Sequence, residues 1–368
     1  MTKKIINSWT GFQPLEEVWL GSCYPRTWAE YFTDDKQRQS ILLDLFDTAN
    51  NELDNFETIM EEHGIKVRRP NFPENPKHIE DSQRRERYRK KWLKPMITPR
   101  DDFIVYGNTL WLSGGHLQEQ VCDWWGDTIK EYINAGEDVR WCHGAWNDQL
   151  LDDYESNVIC GAKIVRLGKR IIIEKDETHN EGHERFASIL KKQYPDHQID
   201  LLVGDGRHTD GRFAVLRPYV ILHSYDRGDY TETFSNQWKA IHVHTDLNKV
   251  LDDEEAKRFG VSRDMMDKQK QKWYANGREQ DQESYQFIDK YLKDWSGDVR
   301  ETLFDVNCLV HNENHVFLIN DPPKEIRNEL RQLKIEYTKV PWTHRWFFDG
   351  GLHCNTLDIR RTGNAEWY

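Results

Sequence analysis

Three short stretches of this chain carry side chains that could act on a substrate. The first is Gly350-Gly351-Leu352-His353-Cys354, followed by the apolar alternation from Thr356 to Arg361. It reads as a thiol at the mouth of a strand. The glycines would let backbone approach a ligand closely, and the flanking His and Arg could hold a thiolate in reactive form. A small buried residue starting an edge strand is the plainer reading of any single cysteine. The second is His208-Thr209-Asp210, set between glycines at Gly204, Gly206 and Gly211. On extended backbone His208 and Asp210 face the same way. As a metal site the pair lacks a third ligand nearby in sequence. The same holds for His242-Val243-His244-Thr245-Asp246, which reads as a solvent-facing strand end. The third is Asp101, set by Pro99 just ahead of the apolar run Phe103-Ile104-Val105-Tyr106; alone it would cap a strand.

The elements around these residues alternate in type. Apolar β-rich runs recur at Glu17–Leu20, Ile65–Val67, Phe103–Tyr106, Ile171–Ile173, Leu201–Val203, Val215–Leu216 with Val220–Leu222, Cys308–Val310 with Val316–Ile319, and Ile335–Tyr337. Many come in close pairs bounded by Gly, Asn or Pro, as hairpins do. Helical patterns separate them. The clearest, Asp35 to His63, puts Leu42, Leu45, Phe46, Ala49, Leu53, Phe56 and Met60 on one stripe, with Gly64 as its stop. Others run from Asn180 to Gln193 and from Pro323 to Leu333. The rhythm predicts one α/β architecture of similar units, a single domain over residues 1–368. Residues 251–295 are polar and helical in pattern, and predict a peripheral insertion or lid.

Composition narrows the classes. The 368 residues include 15 Trp, 15 Tyr and 15 Phe, enough for a sizeable core, and carry a net charge of −12. That charge argues against nucleic acid and anionic membranes as partners. The basic run Arg84–Lys91 reads as a solvated helix face, since its surroundings are acidic. No run is long and apolar enough for a membrane span, and the six cysteines show no paired spacing. These features predict a cytoplasmic protein with reduced thiols.

Together the motifs resemble the arginine:glycine amidinotransferases of the guanidine-modifying (pentein) superfamily. They run in order from Pro14-Leu15-Glu16-Glu17-Val18 through Val67-Arg68-Arg69-Pro70 and Pro99-Arg100-Asp101 with Gly107-Asn108. His208-Thr209-Asp210 follows, then Gly351-Leu352-His353-Cys354 with Asp358-Ile359-Arg360-Arg361. The resemblance implies a five-bladed pseudo-symmetric α/β propeller of ββαβ units, with the active site at its axis. It implies Cys354 as nucleophile, His208 as general acid/base, Asp101 and Asp210 as guanidinium-binding carboxylates, and Arg227 as the residue holding an acceptor's carboxylate. No cofactor and no metal are implied. The partners would be arginine and an amine acceptor, and a homodimer is compatible with this.

The pattern departs from the family at three positions. Cys160 stands where the family has an Asp that supports the histidine and the guanidinium, Lys163 replaces a second Asp, and Asn355 replaces an aromatic. Losing an acid and gaining a base predicts weaker binding of arginine. The leading expectation is amidino transfer from L-arginine to a small amine such as glycine. The alternatives are an arginine deiminase-type hydrolase and an impaired pentein that only binds a ligand.

Overall fold

The computed structural model describes residues 4–112, 118–142, 144–145, 159–175, 181–203, 208–223, 230–243, 282–295, 306–348 and 350–368. Five small sheets repeat one internal plan. In chain order the strands are β1 (Leu15–Leu20), β2 (Lys66–Arg68), β3 (Phe103–Tyr106), β4 (Thr109–Leu112), β5 (Asp138–Trp141), β6 (Gly144–Ala145), β7 (Ile164–Leu167), β8 (Arg170–Lys175), β9 (Gln198–Val203), β10 (Phe213–Arg217), β11 (Val220–His223), β12 (Lys239–His242), β13 (Leu309–Asn312), β14 (His315–Leu318), β15 (Glu336–Lys339) and β16 (Thr356–Arg361).

In four sheets a first strand pairs antiparallel with the next, which pairs parallel with a third: β3-β4-β5, β7-β8-β9, β10-β11-β12 and β13-β14-β15. A helix always lies between the second and third strands, as a parallel crossover requires. The remaining sheet follows the plan through chain closure. There β16 is the first strand, antiparallel to β1, which runs parallel to β2.

Local chemistry explains the elements. The helix Lys36–Glu62 starts where the Asp35 carboxylate accepts from the backbone N–H of Gln37 and Arg38 at 2.9 and 3.1 Å, a cap worth about 1 kcal/mol. Every stripe residue expected from the sequence is buried, and the chain leaves the helix through Gly64 at φ +78°. The basic run lies on the helix Ser82–Lys91, where Arg84 pairs with Asp123 and Arg89 with Asp34 while Tyr88 is buried.

The 251–295 segment divides. Residues 251–281 lie outside the described residues, but Gln282–Tyr291 is a helix and Phe287, Leu292 and Trp295 are buried in the main core. Trp295 packs beside Tyr24, Phe32 and Phe46, and its indole N–H donates to the Trp92 carbonyl. Residues 282–295 are therefore anchored rather than peripheral, because their aromatic stripe completes an apolar cage. No helix among the described residues is long and apolar enough to cross a membrane.

Candidate active site

The candidate residues sit on equivalent turns, each just ahead of a sheet's first strand. Asp101 lies in the helical turn Pro99–Asp102 before β3, and Cys160 precedes the turn Gly161–Lys163 before β7. His208 precedes the turn Thr209–Gly211, which contains Asp210, before β10. Cys354 lies two residues ahead of β16. The repeated plan brings these distant residues together: His208, Asp210 and Cys354 offer functional atoms all within 4.8 Å of one another, as do Asp101, Cys160 and His208.

A fifth turn supplies a residue that the sequence reading missed. Asn307, two residues before β13, donates from Nδ2 to Cys354 Sγ at 2.8 Å and accepts from the Cys354 backbone N–H at 3.0 Å. Its signal was positional, the same offset that Asp101 has before β3 and Cys354 before β16. Asn307 also explains the paired glycines. A Cβ on Gly351 would lie 2.4 Å from the Asn307 carbonyl oxygen, and one on Gly350 would lie 2.8 Å from Thr98 Cγ2. The glycines admit neighbouring protein rather than a ligand.

Around Cys354 the contacts are short and dry. Cys354 and Asn307 are each 1% exposed. The thiol donates to Asp210 Oδ2 at 3.3 Å, and His353 Nδ1 lies 2.8 Å from the same oxygen. Burial pushes the Cys354 thiol well above its usual range, the Asp210 charge adds to this, and His208 acts against it. Burial also opposes ionisation of Asp210, but the His353 hydrogen bond and charge, then His208 and Arg100, hold its carboxyl below the usual value. Glu174 of β8 braces the His208 turn by accepting from Thr209 Oγ1 at 2.8 Å and pairing with Arg212.

The arginines beside the cysteine motif do not reach its sulfur. Arg360 pairs with Glu16 at 2.7 Å, and Arg361 donates to Asp358 at 2.6 Å. Asp358, fully buried, also receives Arg100 and Arg166, so three guanidinium groups converge on one carboxylate. Their charge holds the Asp358 carboxyl well below the usual range against burial. Arg100 ties this cluster to the thiol turn by donating to the His353 carbonyl at 2.8 Å.

The Cys160 side is looser. Its sulfur lies 3.4 Å from His208 Nε2 and 3.8 Å from Asp101 Oδ1, and His208 Nδ1 lies 3.8 Å from Asp101. Asp101 and His208 are each 23% exposed at the side chain. Burial raises the Cys160 thiol, with His208 opposing, and burial likewise raises the Asp101 carboxyl. Lys163 is buried at the end of its turn, and Asn355 is fully buried. His242 ends β12 with Nδ1 3.2 Å from His223 Nδ1, so it is paired rather than solvent-facing. Arg227 and His244 lie outside the described residues.

No family model matches the chain. Curated relatives do. An L-arginine:L-lysine amidinotransferase from Pseudomonas savastanoi pv. phaseolicola is 25% identical over an alignment covering 98% of this chain and 96% of that protein. The mitochondrial glycine amidinotransferase of Gallus gallus is 22% identical, covering 98% and 84%. Among solved structures, the inosamine-phosphate amidinotransferase of Streptomyces griseus superposes with a TM-score of 0.63 at 18% identity, over 100% of this chain and 99% of that one. The described residues share the α/β fold of that structure, with five small sheets on one repeated plan. Over nearly its whole length the chain is similar to amidinotransferases, the glycine amidinotransferases among them.

Proposed function

We propose that the protein is an amidinotransferase that moves the amidino group of L-arginine to a small amine such as glycine, releasing ornithine, with the five sheets arranged as propeller blades around the site. The convergence of Cys354, ahead of β16, with His208 and Asp210, ahead of β10, and with Asn307 on the sulfur carries this reading.

The chemistry follows from those groups. A guanidinium is planar and permanently charged, so Asp101 and Asp210 would hold it by paired charge-assisted hydrogen bonds. The cation beside Asp210 would offset the charge that keeps the Cys354 thiol protonated. With its proton passed to His208, the Cys354 thiolate, held by the Asn307 N–H, would attack the guanidinium carbon. His208 would protonate the departing ornithine amine, then accept a proton from the acceptor amine as that amine attacks the amidino-cysteine and expels the thiolate. Named relatives use lysine, glycine and an inosamine phosphate. Arg227, which the family resemblance assigns to a carboxylate, favours an amino-acid acceptor.

Incubation with isotopically labelled arginine, with and without glycine, tests the reading. Guanidinoacetate and ornithine are expected, and Cys354→Ser should abolish both. Citrulline instead would make the protein a hydrolase. A second reading, a pentein that binds guanidines without turning them over, is favoured by Cys160 and Lys163. Binding of arginine with no product and no covalent adduct on Cys354 would establish it.

A further inference from the structure

We propose that Asp101, Cys160 and His208 form a binding site for a soft divalent cation of the zinc class, which enters the candidate active site in place of a guanidinium. The sequence reading found no third ligand beside His208 because the other ligands come from different sheets. Asp101 is carried by the turn before β3, Cys160 by that before β7 and His208 by that before β10.

The spacing already approximates a metal's first shell. Cys160 Sγ lies 3.4 Å from His208 Nε2 and 3.8 Å from Asp101 Oδ1, and one ligand atom from each residue falls within 4.8 Å of the others. A tetrahedral zinc ion with bonds of about 2.3 Å to sulfur and about 2.0–2.2 Å to nitrogen and oxygen has edges of about 3.5–3.7 Å to the sulfur and about 3.3–3.6 Å between nitrogen and oxygen. Shifts of a few tenths of an ångström along the two sulfur edges would satisfy that geometry, while the His208–Asp101 edge, within 4.8 Å, would close by up to about 1.4 Å as both side chains turn onto the ion.

Charge and access agree. One carboxylate, one thiolate and a neutral imidazole neutralise a dication, so an ion could sit at this partly buried site without leaving net charge. Asp101 and His208 keep some exposure through which it could enter. Binding involves no redox change: the Cys160 S–H proton goes to solvent and a sulfur–metal bond forms, leaving a fourth position for water. Thiolate with imidazole selects zinc and cobalt over magnesium and calcium. The carboxylate that the family pattern has at position 160 would make the set harder. The second group, His208 with Asp210 and Cys354, shares the histidine but holds its sulfur in a dry, hydrogen-bonded turn.

Cation binding does not depend on the proposed reaction, whereas competition with a guanidinium does, so the two are measured separately. Reduced full-length protein is titrated anaerobically with cobalt(II). One ion per chain is expected, with a thiolate-to-cobalt charge-transfer band and intense visible bands of tetrahedral cobalt, displaced by zinc(II) and not by magnesium(II). Cys160→Ser should abolish the charge-transfer band and weaken zinc binding by about tenfold or more, while Cys354→Ser keeps both. Absence of stoichiometric binding by the wild-type protein, a band that survives Cys160→Ser, or a band lost in Cys354→Ser overturns the proposal. If Cys160→Ser fails to fold, the wild type still decides: zinc should protect Cys160 from alkylation in mass-mapped peptides, and unprotected Cys160 overturns the proposal. Arginine added to the cobalt complex should then raise the apparent cobalt Kd. If cobalt binds but arginine has no effect, the cation site stands and the guanidinium reading fails.

Discussion

The two halves of the candidate site are built differently. Around Cys354, Asn307 holds the sulfur and the backbone N–H at 2.8 and 3.0 Å, and both residues are 1% exposed. Around Cys160 the contacts stretch to 3.4 and 3.8 Å and the neighbouring side chains stay partly in water. Two of the three departures from the resembled pattern, Cys160 and Lys163, fall in the loose half, and the third, Asn355, is buried beside Cys354. A thiol in place of a carboxylate has one weak donor and no full charge, so it organises its surroundings less firmly. Asn307 holds the candidate nucleophile by two hydrogen bonds, while His208 faces a thiol at 3.4 Å.

The largest expected effect comes from the ion cluster behind the tight half. Asp358→Asn leaves three buried guanidinium groups short of a counter-charge and should cost about 3–5 kcal/mol, read as a drop in the denaturation midpoint. An unchanged midpoint would remove the electrostatic account of that half. Next, Asn307→Ala removes the donor at the sulfur and should lower kcat by about 10²-fold with little change in KM, as loss of a preorganised donor does. A change confined to KM would mean that Asn307 only shapes the pocket.

The pH response tests the burial of Cys354 without mutation. Cys354 keeps its proton in the folded protein, whereas an unfolded chain loses it near the ordinary thiol value of 9.0. Stability contributed by this group is therefore lost as pH rises beyond 9, and alkylation of Cys354 in the free protein should still be climbing there. A plateau below pH 8 contradicts the burial argument. The smallest expected effect concerns the loose half: Cys160→Asp should raise kcat/KM for arginine by about tenfold, or about 1.4 kcal/mol in transition-state binding. No gain would show that Asp101 and Asp210 suffice.

Much of this was legible in the sequence. Cys354, His208, Asp210 and Asp101 each sit beside a Gly or Pro turn signal and ahead of an apolar strand, so both residue type and position were visible. The helix Lys36–Glu62 fell within a residue of its expected ends because its stripe is long and its cap and stop are explicit. Asn307 escaped because an asparagine before a strand is ordinary, and only the repeat of the five turns gives it meaning. The burial of residues 282–295 escaped because Trp295 finds its partners in Tyr24, Phe32 and Phe46, more than 200 residues away. The Arg beside the cysteine motif read as a charge that could hold the thiolate, but Arg361 is buried against Asp358, an interaction that periodicity does not encode.

The pairing of β16 with β1 has a consequence for folding order. It joins residues 15–20 to residues 356–361, the longest loop that any sheet here must close. Closing a loop of that length carries a large entropic cost, which favours shorter-range contacts forming first. The other four sheets can form from nearby strands, but the turn bearing Cys354 is fixed only when this last seam closes. A partly folded chain should therefore display most of its secondary structure while Cys354 still alkylates as an open thiol, so the loss of that alkylation during refolding would time the closing of this seam.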